Sequence, residues 1–318
     1  MKVIIPEAVA AYLIPKLHER FPDIIPVTFG DDGVPNGDVQ DALIFMRWWN
    51  EMPQFRTTLD AAPLVRWVYT PSAGIEYMDL ELLQQRNITL TNAAGVHAIP
   101  IAEFVMLYLL THAKKAWQLH DFPRDKWYET EHTKLDELDG KTMAILGLGG
   151  IGQETAKRAK AFGMRVIGSR RTPQPTPFVD LVVGDDAWRT LLPEADVLVI
   201  ATPSTPRTRG MVDAAAFEVL KPNAYLVNVG RGNVVDTPAL IDALTSGRLA
   251  GAGLDVVPEE PLPVDHPLWD APNVWITPHV TSSSPNGRKR SMGLFLDNLE
   301  RFRAGKPLHN IVNYEEGY

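Results

Sequence analysis

Side chains that could take part in reducing a carbonyl group are spread through the last third of the 318-residue chain. Arg231 lies between two glycines, Glu259 and Glu260 stand in a proline-rich turn, and His279 follows a Thr-Pro pair. Arginine offers a planar fork to a carboxylate, histidine exchanges a proton near neutral pH, and a carboxylate can hold and charge the imidazole. These are the parts needed to reduce a 2-oxo acid. Taken singly, each is more often a surface or structural residue.

Predicted strands precede each of these side chains. Short apolar runs predict strands over residues 142–146, 165–167, 181–183, 197–201, 224–228, 253–256 and 274–277. Similar runs in the first third predict strands over residues 2–5, 25–29, 42–46, 65–69 and 88–91. Helical patterns lie between the strands, which favours parallel sheets, and open α/β sheets bind ligands at the carboxyl ends of their strands. The candidate side chains are therefore expected at one sheet edge.

The fold expected from this pattern is α/β, with two Rossmann-like, doubly wound parallel-sheet domains. A long helix is predicted over residues 100–120, leading from one domain to the other. An amphipathic helix follows residue 285 and ends near Arg303, with Met292, Phe295, Leu296, Leu299 and Phe302 facing inward. Because that helix can return to the first domain, we predict a discontinuous substrate domain of residues 1–97 and 283–318 and a dinucleotide-binding domain of residues 98–282.

A glycine motif lies between the first two strands of the second series. Gly147, Gly149 and Gly152 have G-x-G-x-x-G spacing, and a helix is predicted to follow over residues 153–162. The glycines suit a tight turn, a close backbone approach to a pyrophosphate and close helix packing, while the helix N-terminus attracts phosphate. The motif alone could be a plain turn, but its place between two strands favours a dinucleotide site.

The strand after the glycine motif ends on Ser169, Arg170, Arg171 and Thr172. An NAD-binding protein usually places a carboxylate there against the ribose 2′-hydroxyl, whereas arginine can accept the 2′-phosphate of NADP. Two guanidinium groups suit a phosphate better than a diol, so the sequence predicts NADPH or NADP as the preferred cofactor, with NAD possible. The alternative is a solvated loop that happens to be basic.

Composition limits the class of protein. The chain has no cysteine, which excludes disulfides and thiolate metal sites and is compatible with a reducing cytosol; we expect a cytoplasmic protein without a metal. The formal net charge of −8 disfavours nucleic acid and anionic membranes as partners. Pro6 and Glu7 interrupt the first apolar run, which therefore indicates a strand rather than a signal peptide.

The order of the motifs resembles the D-2-hydroxyacid dehydrogenase family. A glycine-rich loop is followed by Asn228-Val-Gly-Arg231-Gly, Leu254-Asp-Val-Val-Pro-Glu-Glu260-Pro and Thr277-Pro-His279. The resemblance extends over almost the whole chain and includes further segments. These are Thr70-Pro-Ser-Ala-Gly74 with Tyr77-Met-Asp79, residues 92–103, and Pro203-Ser-Thr-Pro-Arg-Thr208. A Ser-Arg pair at the end of the second strand is similar to the NADPH-dependent glyoxylate and hydroxypyruvate reductases of that family.

The resemblance implies roles for the candidate residues. Arg231 would grip the substrate carboxylate and carbonyl, and His279 would protonate the carbonyl oxygen. Glu260 would hydrogen-bond His279 and favour its charged form; Glu259 is chemically equal, and only the Glu-Pro match favours Glu260. Backbone N–H groups around Ala73 and Gly74 would complete the carboxylate site. The role of the segment Asn92-Ala-Ala-Gly-Val-His97 does not carry over.

The cofactor residues implied by the resemblance surround the glycine loop and the later strand ends. They are Gly147, Gly149, Gly150, Ile151, Gly152, Ser169, Arg170, Arg171, Pro203, Thr208, Val229, Asp255 and His279. Asp255 would face the nicotinamide end.

Three tryptophans give weaker indications. Trp48, with Arg47 and Trp49, could wall the substrate pocket or simply pack. Trp127 lies in a segment that reaches a partner subunit in some relatives, which indicates a homodimer.

The expected activity is hydride transfer from NADPH to C2 of a small 2-oxo acid of the glyoxylate or hydroxypyruvate type, giving a D-2-hydroxy acid. An NAD-dependent dehydrogenase of a larger D-2-hydroxy acid is the nearer alternative, since pocket shape decides the substrate. A non-catalytic corepressor that senses dinucleotides is the alternative from another class.

Overall fold

The computed structural model describes residues 1–47, 52–75, 77–121 and 134–315. Up to residue 121 the elements are β1 (Lys2–Pro6), α1 (Glu7–Arg20), β2 (Ile25–Phe29), β3 (Ile44–Met46), α2 (Met52–Ala61), β4 (Trp67–Tyr69), α3 (Leu80–Gln85), β5 (Thr89–Thr91), α4 (Ala98–Ala113) and α5 (Ala116–His120). From residue 134 they are β6 (Thr142–Leu146), α6 (Gly150–Ala161), β7 (Arg165–Arg170), β8 (Leu181–Gly184), β9 (Val197–Ile200), α7 (Ala214–Val219), β10 (Ala224–Asn228), α8 (Thr237–Thr245), β11 (Leu249–Leu254), β12 (Val274–Ile276) and α9 (Gly287–Arg303). Short 3₁₀ turns occur at Trp188–Glu194, Gly232–Val234 and Pro267–Asp270.

The chain divides into two compact units, Met1–Val96 with Ser284–Tyr318, and His97–Ser283. The first unit holds a sheet with the strand order β2-β1-β3-β4-β5, and the second holds β12-β11-β10-β9-β6-β7-β8. Neighbouring strands in both sheets are parallel. The predicted fold class of two parallel-sheet α/β domains is confirmed. That the first unit binds the substrate and the second binds the dinucleotide stays a prediction.

The first unit is completed by α9, although that helix lies nearly 200 residues away in the sequence. Phe295 stacks on Trp67 with ring centroids 5.3 Å apart, and the Tyr69 hydroxyl donates to the Ser291 carbonyl at 2.9 Å. Met292 and Leu299 are buried in the same apolar cluster. The inward face of α9 is thus part of the core of the first unit.

The second unit is organised around β6, whose alternate residues pack on opposite faces of the sheet. Ala144 and Leu146 belong to one buried cluster, and Met143 and Ile145 belong to the other. The chain runs from β6 to β7 and β8 on one side and then returns to β9 on the other. The strand order therefore reverses between β6 and β9, which is where open α/β sheets bind ligands.

The most informative differences between prediction and structure concern three elements. The helix predicted over residues 100–120 is two helices, because Lys115 has a left-handed backbone with φ of 47°. β11 spans Leu249–Leu254 rather than residues 253–256. The glycines of this strand give no apolar pattern in the sequence. Glycine is needed there because a Cβ at Gly253 would stand 2.5 Å from the Tyr108 ring. The helix predicted from Gln153 begins at Gly150.

Within the described residues, no helix has both the length and the apolar character that crossing a membrane requires.

Candidate active site

The glycine motif forms a tight connection between β6 and α6. Gly147 has φ of 96°, and a Cβ there would lie 2.8 Å from the carbonyl oxygen of Ala201. A Cβ at Gly152 would lie 2.2 Å from the carbonyl oxygen of Gly147. Side chains at these two positions would force the backbone apart, so the turn needs glycine at both.

Unlike Gly147 and Gly152, Gly149 has open space where a side chain would lie. It is the N-cap of α6, has no side-chain cap, and is exposed with no atom within 4 Å of a Cβ built there. Gly150, the first helical residue, is exposed as well, and the first N–H groups of a helix have no partner within the helix. Open space beside uncapped N–H groups fits a pyrophosphate, which a helix N-terminus stabilises.

The end of β7 is joined to the glycine turn through its backbone. The carbonyl oxygen of Ser169 accepts hydrogen bonds from the N–H groups of Gly147 and Leu148 at 3.1 and 3.0 Å. Ser169 is buried, Arg170 is half-buried and Arg171 is exposed. The two arginines therefore follow directly from the strand that buttresses the glycine turn.

The guanidinium group of Arg170 is oriented by the loop that follows it. Its Nη1 lies 3.4 Å from the Thr176 hydroxyl, and the Gln174 amide, turned with its oxygen inward, accepts from Nη1 and Nη2 at 2.9 and 3.3 Å. No carboxylate stands among residues 169–172. The donor set at this strand end fits a phosphate monoester better than a ribose diol.

The loop after β9 contains Pro203 and Thr208. The Thr208 hydroxyl donates to the Pro203 carbonyl at 2.7 Å and accepts from the Thr205 N–H at 2.8 Å. This hydroxyl therefore shapes the loop from within. Pro203 itself is exposed at the carboxyl edge of β9.

Arg231 is positioned by the backbone turn that follows β10. The Asn228 side chain donates to the Arg231 carbonyl at 3.0 Å and accepts from the Gly230 N–H at 3.1 Å. Val229 continues the strand, with its N–H bonded to the Ile200 carbonyl at 3.0 Å. Arg231 Nη1 donates to the Gly230 carbonyl at 2.8 Å, and the side chain is half-buried.

Asp255, just after β11, uses its buried carboxylate to hold the segment that contains His279. It accepts from the Thr277 hydroxyl at 2.6 Å, from the Val280 N–H at 2.9 Å, and from the N–H and hydroxyl of Thr281. The Tyr108 hydroxyl donates in turn to that of Thr277, and burial raises the pKa of the Tyr108 phenol. The carboxylate is engaged by protein donors, while the predicted role toward nicotinamide stays a prediction.

His279 and Glu260 form a close pair. Nδ1 of His279 lies 2.6 Å from Oε2 of Glu260, and Oε1 of Glu260 accepts from the Val257 N–H at 3.3 Å. The His279 side chain is 49% exposed and that of Glu260 is 38% exposed. Because Nδ1 faces the carboxylate, Nε2 is the ring nitrogen that can exchange a proton with another molecule. Glu259 has no such contact in the described structure.

In the first unit, Ala73 and Gly74 lie in the loop after β4. The Asn92 side chain, just after β5, donates to the Ala73 carbonyl at 2.8 Å and accepts from the Ala94 N–H at 3.1 Å. Asn310 donates to the Ala94 carbonyl at 2.9 Å. Asn92 thus fixes the loop that was predicted to bind a carboxylate, a role that the sequence alone did not supply.

Another residue of the first unit, Arg47, lies directly after β3 and is buried. Its guanidinium stands 4.3 Å from the ring centroid of Tyr77, and burial lowers the pKa of this arginine. The neighbouring candidates Trp48 and Trp49, like Trp127, lie outside the described residues.

Comparison with known proteins agrees with this geometry. The family model for the D-isomer specific 2-hydroxyacid dehydrogenase, NAD binding domain, matches residues 106–281, more than half of the chain. The chain belongs to the D-isomer specific 2-hydroxyacid dehydrogenase family. A relative named glyoxylate reductase, from Aeropyrum pernix, is 37% identical over 264 residues, which are 81% of this chain and 79% of that protein.

Solved structures give the same result. A D-isomer specific 2-hydroxyacid dehydrogenase from Xanthobacter autotrophicus Py2, in complex with NADPH and MES, has a TM-score of 0.83 at 28% identity and covers 100% of this chain and 99% of its own. An NADPH-dependent glyoxylate/hydroxypyruvate reductase from Sinorhizobium meliloti, in complex with NADP and sulfate, has a TM-score of 0.80 at 26% identity, with coverage of 100% and 99%.

Membership of the 2-hydroxyacid dehydrogenase family identifies the protein as an NAD(P)-dependent oxidoreductase that acts on small 2-hydroxy or 2-oxo acids. The corepressor alternative is therefore set aside. The glycine turn, the uncapped start of α6 and the end of β7 are the features that fit the dinucleotide. The roles of individual side chains in catalysis stay predictions.

Proposed function

We propose that this dehydrogenase is an NADPH-dependent reductase of small 2-oxo acids of the glyoxylate or hydroxypyruvate type. The observation that carries the cofactor preference is the end of β7, where Arg170 is held by Gln174 and Thr176 and residues 169–172 include no carboxylate for a ribose diol. The relatives named glyoxylate reductase and the neighbours named as complexes with NADPH or NADP support it.

The residues of the second unit divide the chemistry between them. The guanidinium of Arg231 would bind the substrate carboxylate as a fork and polarise the adjacent carbonyl. Nε2 of His279 would donate a proton to the carbonyl oxygen, while Glu260 on Nδ1 stabilises the imidazolium before transfer. A reduced nicotinamide, when bound, supplies the hydride for C2. We propose that Ala73 and Gly74 of the first unit offer backbone N–H groups to a carboxylate.

Asp255 has a positioning role in this proposal. Its bonds to Thr277, Val280 and Thr281 fix the backbone on both sides of His279. Preorganised geometry of this kind keeps the imidazole aligned for proton transfer without a cost at the moment of reaction.

The test is a panel of glyoxylate, hydroxypyruvate and larger 2-oxo acids, assayed with NADPH and NADH side by side. We expect the higher kcat/KM with NADPH and with the smaller acids.

Arg170→Gln should lower kcat/KM for NADPH by about tenfold and leave that for NADH unchanged, because a charge-assisted contact to the 2′-phosphate is lost. Arg165→Gln, at the other end of β7, is the matched control.

A higher kcat/KM with NADH across the panel would overturn the cofactor proposal and favour an NAD-dependent enzyme. A preference for phenylpyruvate-sized acids would overturn the substrate proposal and favour the alternative with a larger D-2-hydroxy acid.

We also propose that the enzyme is a cytosolic homodimer. Trp117 on α5 packs edge-on against Trp275 at 5.3 Å but remains 58% exposed, and Leu119 on the same helix is 41% exposed. Large exposed apolar side chains close together are typical of protein interfaces. Analytical ultracentrifugation should give twice the mass of 35.3 kDa, and a monomer at micromolar concentration would contradict the proposal.

A further inference from the structure

A contact between two loops joins strands that are not neighbours. Arg207 lies in the loop after β9, and its Nη2 is 3.5 Å from Oδ1 of Asp185, which directly follows β8. The strand order β9-β6-β7-β8 places two strands between these loops. Since adjacent strands are about 4.8 Å apart, the contact extends over the carboxyl ends of β6 and β7.

The loop that carries Arg207 is well defined by its own hydrogen bonds. Thr205 and Thr208 bond each other through backbone and side chain, and the Arg209 N–H donates to the Thr205 carbonyl at 3.0 Å. The Gly210 N–H is bonded to the Asn233 carbonyl at 2.8 Å. These bonds fix the backbone from which the Arg207 side chain extends.

The strand register locates that contact relative to the two arginines of β7. Gly184 at the end of β8 pairs with Arg170 at the end of β7. The next residues, Asp185 and Arg171, therefore start from adjacent strand ends. Arg207, by reaching Asp185, has its guanidinium at the end of β8, the strand that neighbours β7 and its arginines.

We infer that Arg207 is a third cation of the site for the 2′-phosphate of NADPH, and that Asp185 is its counter-ion until the phosphate binds. This inference rests on the proposed NADPH preference. The side chains of Arg207 and Asp185 are 69% and 38% exposed, so their ion pair is weak and can exchange. A phosphate monoester carries about −1.5 to −2 charges at neutral pH and competes well with a single carboxylate.

Binding of adenosine 2′,5′-bisphosphate and of 5′-AMP, measured by isothermal titration calorimetry, tests this inference without turnover. Wild type should bind the bisphosphate more tightly. Arg207→Gln should weaken bisphosphate binding by about tenfold, the loss of one charge-assisted contact, and leave 5′-AMP binding unchanged. Arg209→Gln makes the same charge change in the same loop and should leave both affinities unchanged.

Asp185→Asn tests the exchange itself. Removing the competing carboxylate should tighten bisphosphate binding by about threefold, the scale of an exposed ion pair. Unchanged or weaker binding in Asp185→Asn would overturn the counter-ion role.

An unchanged bisphosphate affinity in Arg207→Gln, or an equal loss in Arg209→Gln, would overturn the role of Arg207 while leaving the NADPH proposal intact. Equal affinities of wild type for the two probes would instead contradict the NADPH proposal on which this inference rests.

Discussion

His279 combines an unusual backbone with a fixed ring. Its φ of 52° lies in the left-handed region, which a residue with a side chain adopts at a cost. The His279 N–H is bonded to the carbonyls of Asp255 and Thr277 at 3.0 and 2.9 Å, and these bonds help to hold it there. Backbone strain of this kind is concentrated at functional sites, where the surrounding structure sustains it. The geometry is consistent with an imidazole that must be held rather than left to rotate.

Replacing His279 by asparagine should reduce kcat by about 10³-fold, because the proton donor is lost. Asparagine is chosen because it tolerates a left-handed backbone, so the segment should keep its path. Steady-state kinetics measures kcat, and fluorescence titration should give a nearly unchanged Kd for NADPH, because most of the predicted cofactor residues are left intact. A loss of turnover fully explained by weaker NADPH binding, or a variant with normal kcat, would contradict the role of His279.

Arg231→Lys should lower kcat/KM for glyoxylate by at least about 10²-fold, since a point charge cannot reproduce a planar fork with two parallel donors. Arg165→Lys, at an exposed ion pair with Glu194, is the matched control and should behave as wild type. Normal turnover of Arg231→Lys would refute the assignment of the carboxylate site.

The sequence singles out these candidate residues, but it does not show which contacts hold them in place. Arg231, Glu260 and His279 are recognisable because the order of their motifs is characteristic. The supports depend on contacts between distant segments, such as Asn92 with Ala73 and Asp255 with Thr281, and no local pattern encodes such contacts. The role of Asp255 toward the nicotinamide follows from the family resemblance and stays a prediction.

At the scale of the elements, the junction of β6 with α6 needs glycine for two different reasons, close packing and room for a ligand. Gly152 lies within the helix and is buried against the turn, so it serves packing. Gly149 has open space beside it, so the absence of a side chain there matters for a ligand rather than for the fold.

Two alanine variants should separate these uses. Gly152→Ala should destabilise the protein by about 1–3 kcal/mol, because its Cβ would stand 2.2 Å from the Gly147 carbonyl oxygen. Gly149→Ala should lower the melting temperature much less, since alanine is only a poorer N-cap, but should weaken NADPH binding by about tenfold or more, because the methyl group would meet the pyrophosphate. Calorimetry gives both quantities. A destabilised Gly149→Ala with normal NADPH affinity would contradict this division.

Strands with continuous apolar runs were located closely from the sequence; Thr142–Leu146 and Ala224–Asn228 have the predicted ends. The predicted bounds of β11 were wrong because this strand is rich in glycine. It packs closely against Tyr108 since Gly253 has no side chain, and a glycine leaves no apolar pattern in the sequence. The break at Lys115 was missed as well, since a left-handed lysine has no marker in a helical pattern. Apolar periodicity thus predicts the bounds of elements that bury their own side chains. It does not predict bounds that depend on contacts with other segments or on the backbone conformation of one residue.

At the scale of the whole molecule, the described residues form separate hydrophobic cores. The two clusters around the larger sheet contain residues between Ile101 and Ile276, and the two around the smaller sheet contain residues of Met1–Val96 and Ser284–Tyr318. The second unit is continuous in sequence, whereas the first needs α9. The two units should therefore differ in what they can do as fragments.

A fragment of residues 97–283 should fold cooperatively and bind adenosine 2′,5′-bisphosphate with an affinity near that of the full chain. A fragment of residues 1–96 should not fold. It lacks Met292, Phe295, Leu296 and Leu299, whose burial is worth about 6–12 kcal/mol together, as much as a typical domain's whole stability. Joining residues 1–96 to 284–318 through a glycine-serine linker should restore cooperative unfolding in circular dichroism. Cooperative unfolding of residues 1–96 alone would show that the first unit folds without α9.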